Sequence, residues 1–270
     1  MTELLRRSLT VFLLFTLLSF LYVYGNNFIF ISLIYIVSIL SFYEWNTINH
    51  NRYVYFFLFV FMLTFLDYTH AINIYYLALV NLLGWIILIY LMIFNREKLQ
   101  LFIKKYFIVI GLFILLPFSL LLINMYPYSN TLTSNSNLVD NKHYFLFLIL
   151  LISSIDIFAY ISGKLFGRNK IISDISPNKT LEGYIGSYLF TFVFFIIFFN
   201  VNQIFWTYLD LVYLSIIVLA AFFGDLFMSF VKRTYDIKDT GSILPGHGGI
   251  LDRLDSYFPS LPIFYLWLMI

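Results

Sequence analysis

The stretch "KRTYDIKDTGSILPGHGGILDRLD", residues 232 to 255, gathers Lys232, Arg233, Asp236, Lys238, Asp239, Asp252, Arg253 and Asp255 in a chain of 270 residues of which only 11% are charged. Carboxylates supply the hard oxygen ligands that suit Mg2+, and Lys and Arg suit phosphates. Side by side they are the equipment of phosphoryl or nucleotidyl transfer, where the barrier is largely electrostatic. Gly246, Gly248 and Gly249 around His247 allow a backbone to approach a ligand closely and to turn its N–H groups into an anion-binding concavity. Acids also belong at any helix N-terminus, so Asp252 and Asp255, three residues apart on one face of a helix beginning near residue 250, have a plain capping role as the competing explanation. Just upstream, Asp225, Ser229 and Lys232 stand at i, i+4 and i+7. A helix continued past the membrane face lines them up as carboxylate, hydroxyl and ammonium on one stripe, with Arg233 beside them.

A second cluster is "DIFAYISGKLFGRNKIISDISPNKTLEGYIG", residues 156 to 186. Ser176 and Pro177 fit the N-cap and first position of a helix, which places Lys179, Thr180 and Glu182 in its opening turn, where phosphate binds readily. A cap with a solvated lysine is the bland alternative. Asp156 falls well inside an apolar segment and is expected to face the bundle interior, as a ligand-shell acid or as the partner of a Lys or Arg. His50, His70 and His143 are isolated, and His247 is better suited to hydrogen bonding a phosphate or its own loop than to binding a metal.

The elements that must hold these residues are membrane helices. Hydrophobic residues make up 61% of the chain, with 33 Phe and no Cys, which excludes an ordinary globular interior, disulfides and thiolate chemistry. The fold class is all-α and polytopic, with spans expected at 8–24, 28–43, 53–66, 72–94, 106–126, 144–161, 183–200, 204–223 and 250–270. That makes nine, or eight if one of the shorter segments fails to cross, with the first retained as a helix rather than removed as a signal peptide. With the N-terminus cytoplasmic, every Lys and Arg of the 16 except Lys142 falls on the cytoplasmic side, which satisfies the positive-inside rule and turns both charged loops toward cytosolic nucleotides. The Asn- and Ser-rich stretch 127–143 divides an N-terminal transmembrane region, 1–143, with about five spans, from a C-terminal catalytic region, 144–270. The net charge of +2 says nothing about partners by itself, and no nucleic-acid partner is expected. There is no P-loop, H-E-x-x-H or dinucleotide fingerprint.

At these residues the sequence resembles the CDP-diglyceride synthetases, that is, the phosphatidate cytidylyltransferases. The resemblance runs through Ser229, Val231, Lys232-Arg233, Lys238-Asp239, Gly241, Leu244-Pro245, His247-Gly248-Gly249, Asp252-Arg253 and Asp255, and upstream through Asp156, Ala159-Tyr160, Gly163, Phe166-Gly167, Lys170, Lys179-Thr180 and Glu182-Gly183. It covers roughly residues 150 to 262; the leading spans match only in hydropathy. Met228 stands where that family would have Glu, and Asn178 and Leu181 replace a basic and an aromatic residue. The resemblance implies that CTP and phosphatidic acid react to give CDP-diacylglycerol and pyrophosphate. It implies Asp225 and Asp252 as metal ligands, with Asp255, Asp156 or Asp239 in the shell. Lys232, Arg233, Lys238 and Arg253 are then expected to bind CTP and lipid phosphates, with Lys179, Thr180, Glu182 and Ser229 contributing and the loop of His247, Gly248 and Gly249 cradling phosphate. Mg2+ is the expected cofactor, with Mn2+ as the alternative and a second cation allowed. A homodimer follows only from the resemblance. The expected location is the cytoplasmic (inner) membrane of a bacterium, multi-pass, with the active site facing the cytoplasm.

A membrane transporter of a phosphorylated or anionic substrate is the alternative function, since charges near the midplane and helices broken at Gly or Pro mark transporters. Charges clustered at one face, with no internal repeat, weigh against alternating access.

Overall fold

The computed structural model describes residues 27–49, 54–125, 141–172, 174–244 and 248–269. These residues form the helices α1 (Asn27–Ile48), α2 (Val54–Thr69), α3 (Ile74–Phe94), α4 (Arg96–Lys105), α5 (Phe107–Met125), α6 (Asn141–Phe166), α7 (Leu181–Val201), α8 (Tyr208–Thr234), α9 (Leu251–Leu254) and α10 (Tyr257–Leu268). Among them lie six segments long and apolar enough to cross a membrane, Phe28–Ile48, Ile74–Phe94, Phe107–Met125, Tyr144–Phe166, Leu181–Val201 and Tyr208–Thr234, so the chain is a multi-pass, all-helical membrane protein. The expected span at 8–24 lies outside the described residues, as do residues 127–140 of the expected connector and Arg6, Arg7 and Arg52, while 141–143, expected in that connector, belong to α6. The segments expected at 53–66 and 250–270 form shorter helices; at 1.5 Å per residue the 12 residues of α10 reach only about 18 Å, against a hydrocarbon core of about 30 Å.

In an apolar bundle every backbone polar group needs a partner inside the protein. Pro117 sits within α5 and has no N–H to give to the carbonyl of Phe113 one turn earlier. The Asn81 side chain, from α3, donates to that carbonyl at 2.9 Å. The Trp45 indole likewise donates to the Phe107 carbonyl at 3.0 Å, where α5 begins, and its ring stacks on Phe107. Ser119 donates to Ser38 at 2.7 Å, a second polar tie between α5 and α1. Asn95 closes α3 with its backbone N–H and opens α4 with its side chain, which accepts from the N–H of Lys98. The short helix α4 is amphipathic, with Leu99 and Ile103 buried, Glu97 in its first turn and Lys104 and Lys105 in its last, an arrangement that suits a membrane surface.

Helices α6 and α7 pack most closely. A Cβ at Gly183 would lie 2.9 Å from the carbonyl of Ala159, and one at Gly186 would lie 2.0 Å from the Ser162 hydroxyl, so glycine is what lets the two backbones approach. An aromatic cluster of Phe147, Phe195, Phe199, Phe264 and Trp267 joins α6, α7 and α10. The helix α10 lies against α8 and also against α3 and α5, so the last helix is packed among the first ones. The 27 residues of α8 extend about 40 Å, longer than the hydrocarbon core, which frees its last turns to carry charge.

Replacing Asn81 with Leu is expected to destabilise the protein by about 1 kcal/mol, because it leaves the Phe113 carbonyl unpaired. In a Pro117→Ala background, where residue 117 regains an N–H, the same change is expected to cost clearly less. A double-mutant cycle on unfolding in mixed micelles measures the difference, and strict additivity would sink the pairing.

Candidate active site

The stripe read from the spacing is present. Helix α8 runs unbroken from Tyr208 to Thr234, and the Ser229 hydroxyl points at Asp225 Oδ1, 3.4 Å away. The other Asp225 oxygen, Oδ2, is in contact with the ammonium of Lys179, and both side chains remain partly open, 20% for the lysine and 33% for the aspartate. Lys179 also lies over the Phe222 ring at 5.2 Å. The lysine of one cluster and the aspartate of the other are thus brought together.

Lys179 arrives there by a route the sequence reading did not anticipate. The expected start of α7 at Ser176 and Pro177 is corrected: those residues lie in turns, and Thr180 is the N-cap, its hydroxyl accepting from the N–H of Gly183 at 3.2 Å. Bridging backbone bonds hold this segment extended, from Ile171 N–H to the Lys179 carbonyl at 3.1 Å and from Leu181 N–H to the Asn169 carbonyl at 2.8 Å. The Glu182 carboxylate accepts from the N–H groups of Arg168 and Asn169 at 3.0 and 3.2 Å and from the Asn169 amide at 2.8 Å. Glu182 therefore shapes the loop that ends α6, and Lys179 and Thr180 precede α7 rather than forming its first turn.

The second ion pair joins Lys232 to Asp252 Oδ1 at 2.7 Å, with side-chain exposures of only 16% and 9%. The other oxygen of Asp252 accepts from the N–H of Thr240 at 2.9 Å, from its hydroxyl at 3.0 Å and from the N–H of Gly249 at 3.0 Å. Burial alone would raise the Asp252 carboxyl, but the Lys232 ammonium and the two backbone N–H groups outweigh it and hold it below the usual carboxylate range. Asp252 is thereby kept ionised and locked. Gly248 takes the left-handed conformation, at φ +80°, and its carbonyl accepts from the N–H of Leu244 at 3.0 Å.

Asp252 and Asp255 were expected to work from one face, and the structure divides them. Asp255 is buried, its Oδ1 accepting from the N–H of Ser256 at 2.8 Å, and the Ser256 hydroxyl points in turn at Asp156 Oδ1, 3.3 Å away. Asp156, Asp225 and Asp255 feel one another's charge, and Lys179 is the ammonium that offsets both Asp156 and Asp255. Arg253 adds its positive charge at Asp156. Gly224 permits the meeting of the segments, since a Cβ there would lie 2.3 Å from the Asp255 carbonyl. Arg233, Lys238 and Asp239 are exposed, and the Asp239 side chain lies toward Gly248. Met228 is fully buried in the core. His247, Gly246 and Pro245 lie outside the described residues.

Among the described residues no three acids or histidines converge closely enough to cage a metal unaided. Mg2+ does not require such a cage; it is commonly held by one or two carboxylates together with substrate phosphates. Asp225 with either Asp156 or Asp255 fits that pattern, two hard oxygen donors beside the ammonium of Lys179.

Two participants escaped the sequence reading. Thr240 gives Asp252 both its N–H and its hydroxyl, and Glu44, from α1, accepts from the N–H of Leu251 at 3.0 Å. The signal for Glu44 is an acid directly after a long apolar run, and a span ending at residue 43 leaves it just outside, where an acid needs no partner.

A family model described as the cytidylyltransferase family matches residues 5–270 of the chain. A phosphatidate cytidylyltransferase of Staphylococcus haemolyticus is 42% identical over 137 residues, which is 48% of this chain and 50% of the relative. One from Bacillus subtilis is 43% identical over 127 residues, covering 46% and 47% respectively. The chain thus spans about half the length of the curated relatives it matches.

Lys232→Met is expected to destabilise the protein by about 3 kcal/mol, since it leaves the Asp252 charge buried without its ammonium. Lys232→Met combined with Asp252→Asn is expected to be more stable than Lys232→Met alone. Denaturant unfolding in detergent, followed by circular dichroism, checks the order of the two.

Proposed function

Because the chain belongs to the cytidylyltransferase family, we propose that it joins CTP to phosphatidic acid, forming CDP-diacylglycerol and releasing pyrophosphate. The observation that carries this reading is the pair of lysine–aspartate contacts, Lys179–Asp225 and Lys232–Asp252, which gather basic and acidic groups from three segments of chain into one region. The names of the relatives, which match over about half of their length, support the choice of substrates.

In this reaction a phosphate oxygen of phosphatidic acid attacks the α-phosphorus of CTP. One P–O bond forms, and the bond from the α-phosphorus to the oxygen bridging it to the β-phosphorus breaks, so the β- and γ-phosphates depart as pyrophosphate. The attacking monoester is largely ionised near neutral pH, its second pKa being about 6, so no strong general base is required. The obstacle is repulsion between two anions, and fixed positive charge relieves it. Lys179, Lys232, Arg233, Lys238 and Arg253 are the cations we assign to the phosphates. Asp225, with Asp156 or Asp255, would hold Mg2+, which when bound supplies Lewis-acid stabilisation of the phosphoryl oxygens. Asp252, with its oxygens already filled by Lys232, Thr240 and Gly249, would act chiefly by fixing the lysine and the glycine segment, and it joins the metal shell only where one of those partners yields.

Two conformers of charge follow from this assignment. Without nucleotide, each lysine neutralises a carboxylate; with nucleotide bound, phosphate oxygens compete for the same ammonium groups. The exposed apolar face of α6, with Ile157, Ile161 and Leu165, gives acyl chains a surface beside Asp156. Placement in a bacterial inner membrane with the site toward the cytoplasm agrees with the distribution of Lys and Arg and with the bacterial relatives. A homodimer remains part of the proposal on the family resemblance alone.

Purified protein in detergent, given phosphatidic acid and Mg2+, is expected to release pyrophosphate with CTP and far less with ATP, GTP or UTP. Asp225→Asn and Lys179→Met are each expected to lower kcat/KM at least 100-fold, about 2.7 kcal/mol of transition-state stabilisation. Release that does not depend on the lipid, or activity indifferent to both substitutions in folded protein, would overturn the assignment.

A further inference from the structure

We infer that Glu44 is a positioning residue of this site: from the N-terminal part of the chain it sets the placement of residues 240–241 and 249–251, and through them that of Asp252 and the Gly249 N–H. The inference rests on the cytidylyltransferase reading for what the segment binds, and on the contacts themselves for everything else.

Glu44 lies one turn from the end of α1 and is 1% exposed. A carboxylate so placed requires donors, and it finds one 207 residues away in the N–H of Leu251, 3.0 Å from Oε2. The N–H of Ile250 and the Thr240 hydroxyl also lie beside it, and the charge of Asp252 is felt there. The segment is moulded around this side chain. A Cβ at Gly241 would stand 2.5 Å from Oε1, and one at Gly249 would stand 2.5 Å from Oε2 and 2.2 Å from the Thr240 hydroxyl. At either position a side chain would press on the Glu44 carboxylate and displace it, a reason for glycine separate from any ligand.

The link to the site runs through Thr240 and Gly249. Their N–H groups are the two that fix Asp252, and both residues pack on Glu44. Displacing the Glu44 carboxylate thus frees the neighbours of the residue that holds Lys232. A purely stabilising role accounts poorly for the choice of residue. Oε1 is buried without a hydrogen-bond partner, a costly condition that an apolar side chain of similar size would avoid. What the apolar side chain could not provide is the acceptor for Leu251 and the narrow seat for Gly241.

The test uses the full chain in detergent with Glu44→Leu and Glu44→Gln. Hydrogen exchange read by mass spectrometry is expected to rise at least tenfold in peptides covering 240–251 of Glu44→Leu, with peptides from α5 and α7 unchanged. In the CTP assay kcat is expected to fall at least tenfold, while KM for phosphatidic acid stays within twofold. Glu44→Gln, which keeps an acceptor for Leu251, is expected to recover most of both effects. Because Glu44→Leu could fail to fold, a second pair examines the contact directly: Gly241→Ala is expected to lower kcat, and the shorter side chain of Glu44→Asp to restore part of it in the double variant. Unchanged exchange in 240–251 of folded Glu44→Leu overturns the inference, as does exchange that rises equally throughout the protein. Absence of CTP-dependent release from the unsubstituted protein would remove the enzymatic reading alone, and the exchange measurement would still decide the role of Glu44.

Discussion

Asp252 is where three stretches of chain are tied together by one carboxylate. Lys232 comes from the far end of α8, Thr240 from the turn that follows, and Gly249 from the glycine segment before α9, and all donate to this one carboxylate. The tie is strong because it is largely dry. At an effective dielectric constant of about 20 two unit charges 4 Å apart attract by about 4 kcal/mol, against about 1 kcal/mol in bulk water. Two backbone N–H groups add hydrogen bonds to a charged acceptor, each stronger than a neutral one. Remove the carboxylate and the lysine loses its anchor, the turn its internal acceptor and the glycine segment its register.

The Lys179–Asp225 contact has a different physical basis. Its aspartate belongs to a group of three mutually repelling acids, Asp156, Asp225 and Asp255, which sit on three separate elements. Like charges do not gather at the end of an apolar bundle without compensation, and the compensation arrives on the segment before α7. Its position depends on the close packing of α6 on α7, on the Thr180 cap and on the Glu182 carboxylate that closes the preceding loop. None of those three touches Asp225, yet all of them place the ammonium that does. A cluster in which acids outnumber the cations among them is suited to a divalent ion and to polyanions together, because each of the two ligands offsets the repulsion that the other meets.

How much of this was legible in the sequence depends on whether the controlling interaction was local. The stripe of Asp225, Ser229 and Lys232 follows from helical periodicity alone, and it stands in the structure as the spacing required. The six long spans follow from hydropathy. The start of α7 did not, because Ser176 and Pro177 are as good a local signal as Thr180, and what decides between them is pairing with residues 169–171 across a loop. The separation of Asp252 from Asp255 was equally hidden: the backbone keeps helical dihedrals at Asp255 and Ser256, and what sends the two carboxylates to different partners is tertiary, Lys232, Thr240 and Gly249 for the first and the Ser256 N–H for the second. Which acid pairs with which lysine is a tertiary fact that no spacing encodes.

The leading helices show the same limit from the other side. Their resemblance to the family is one of hydropathy, since lipid-facing positions accept almost any apolar side chain, but their few internal polar groups are constrained. Pro117 obliges Asn81 to serve the Phe113 carbonyl, and Trp45 must reach the Phe107 carbonyl. The second of these bears on the site. Trp45 is the neighbour of Glu44; its indole is fixed by hydrogen bond and by stacking on Phe107, and the Phe107 ring meets the edge of Tyr235 just beyond α8. The Phe107 ring thus lies between the end of α1 and the turn after α8, and Glu44 cannot move without disturbing the contacts that hold Trp45 to Phe107. A region with little charge of its own thus delivers one acid, at a fixed depth, to the segment on which the rest of the charge depends.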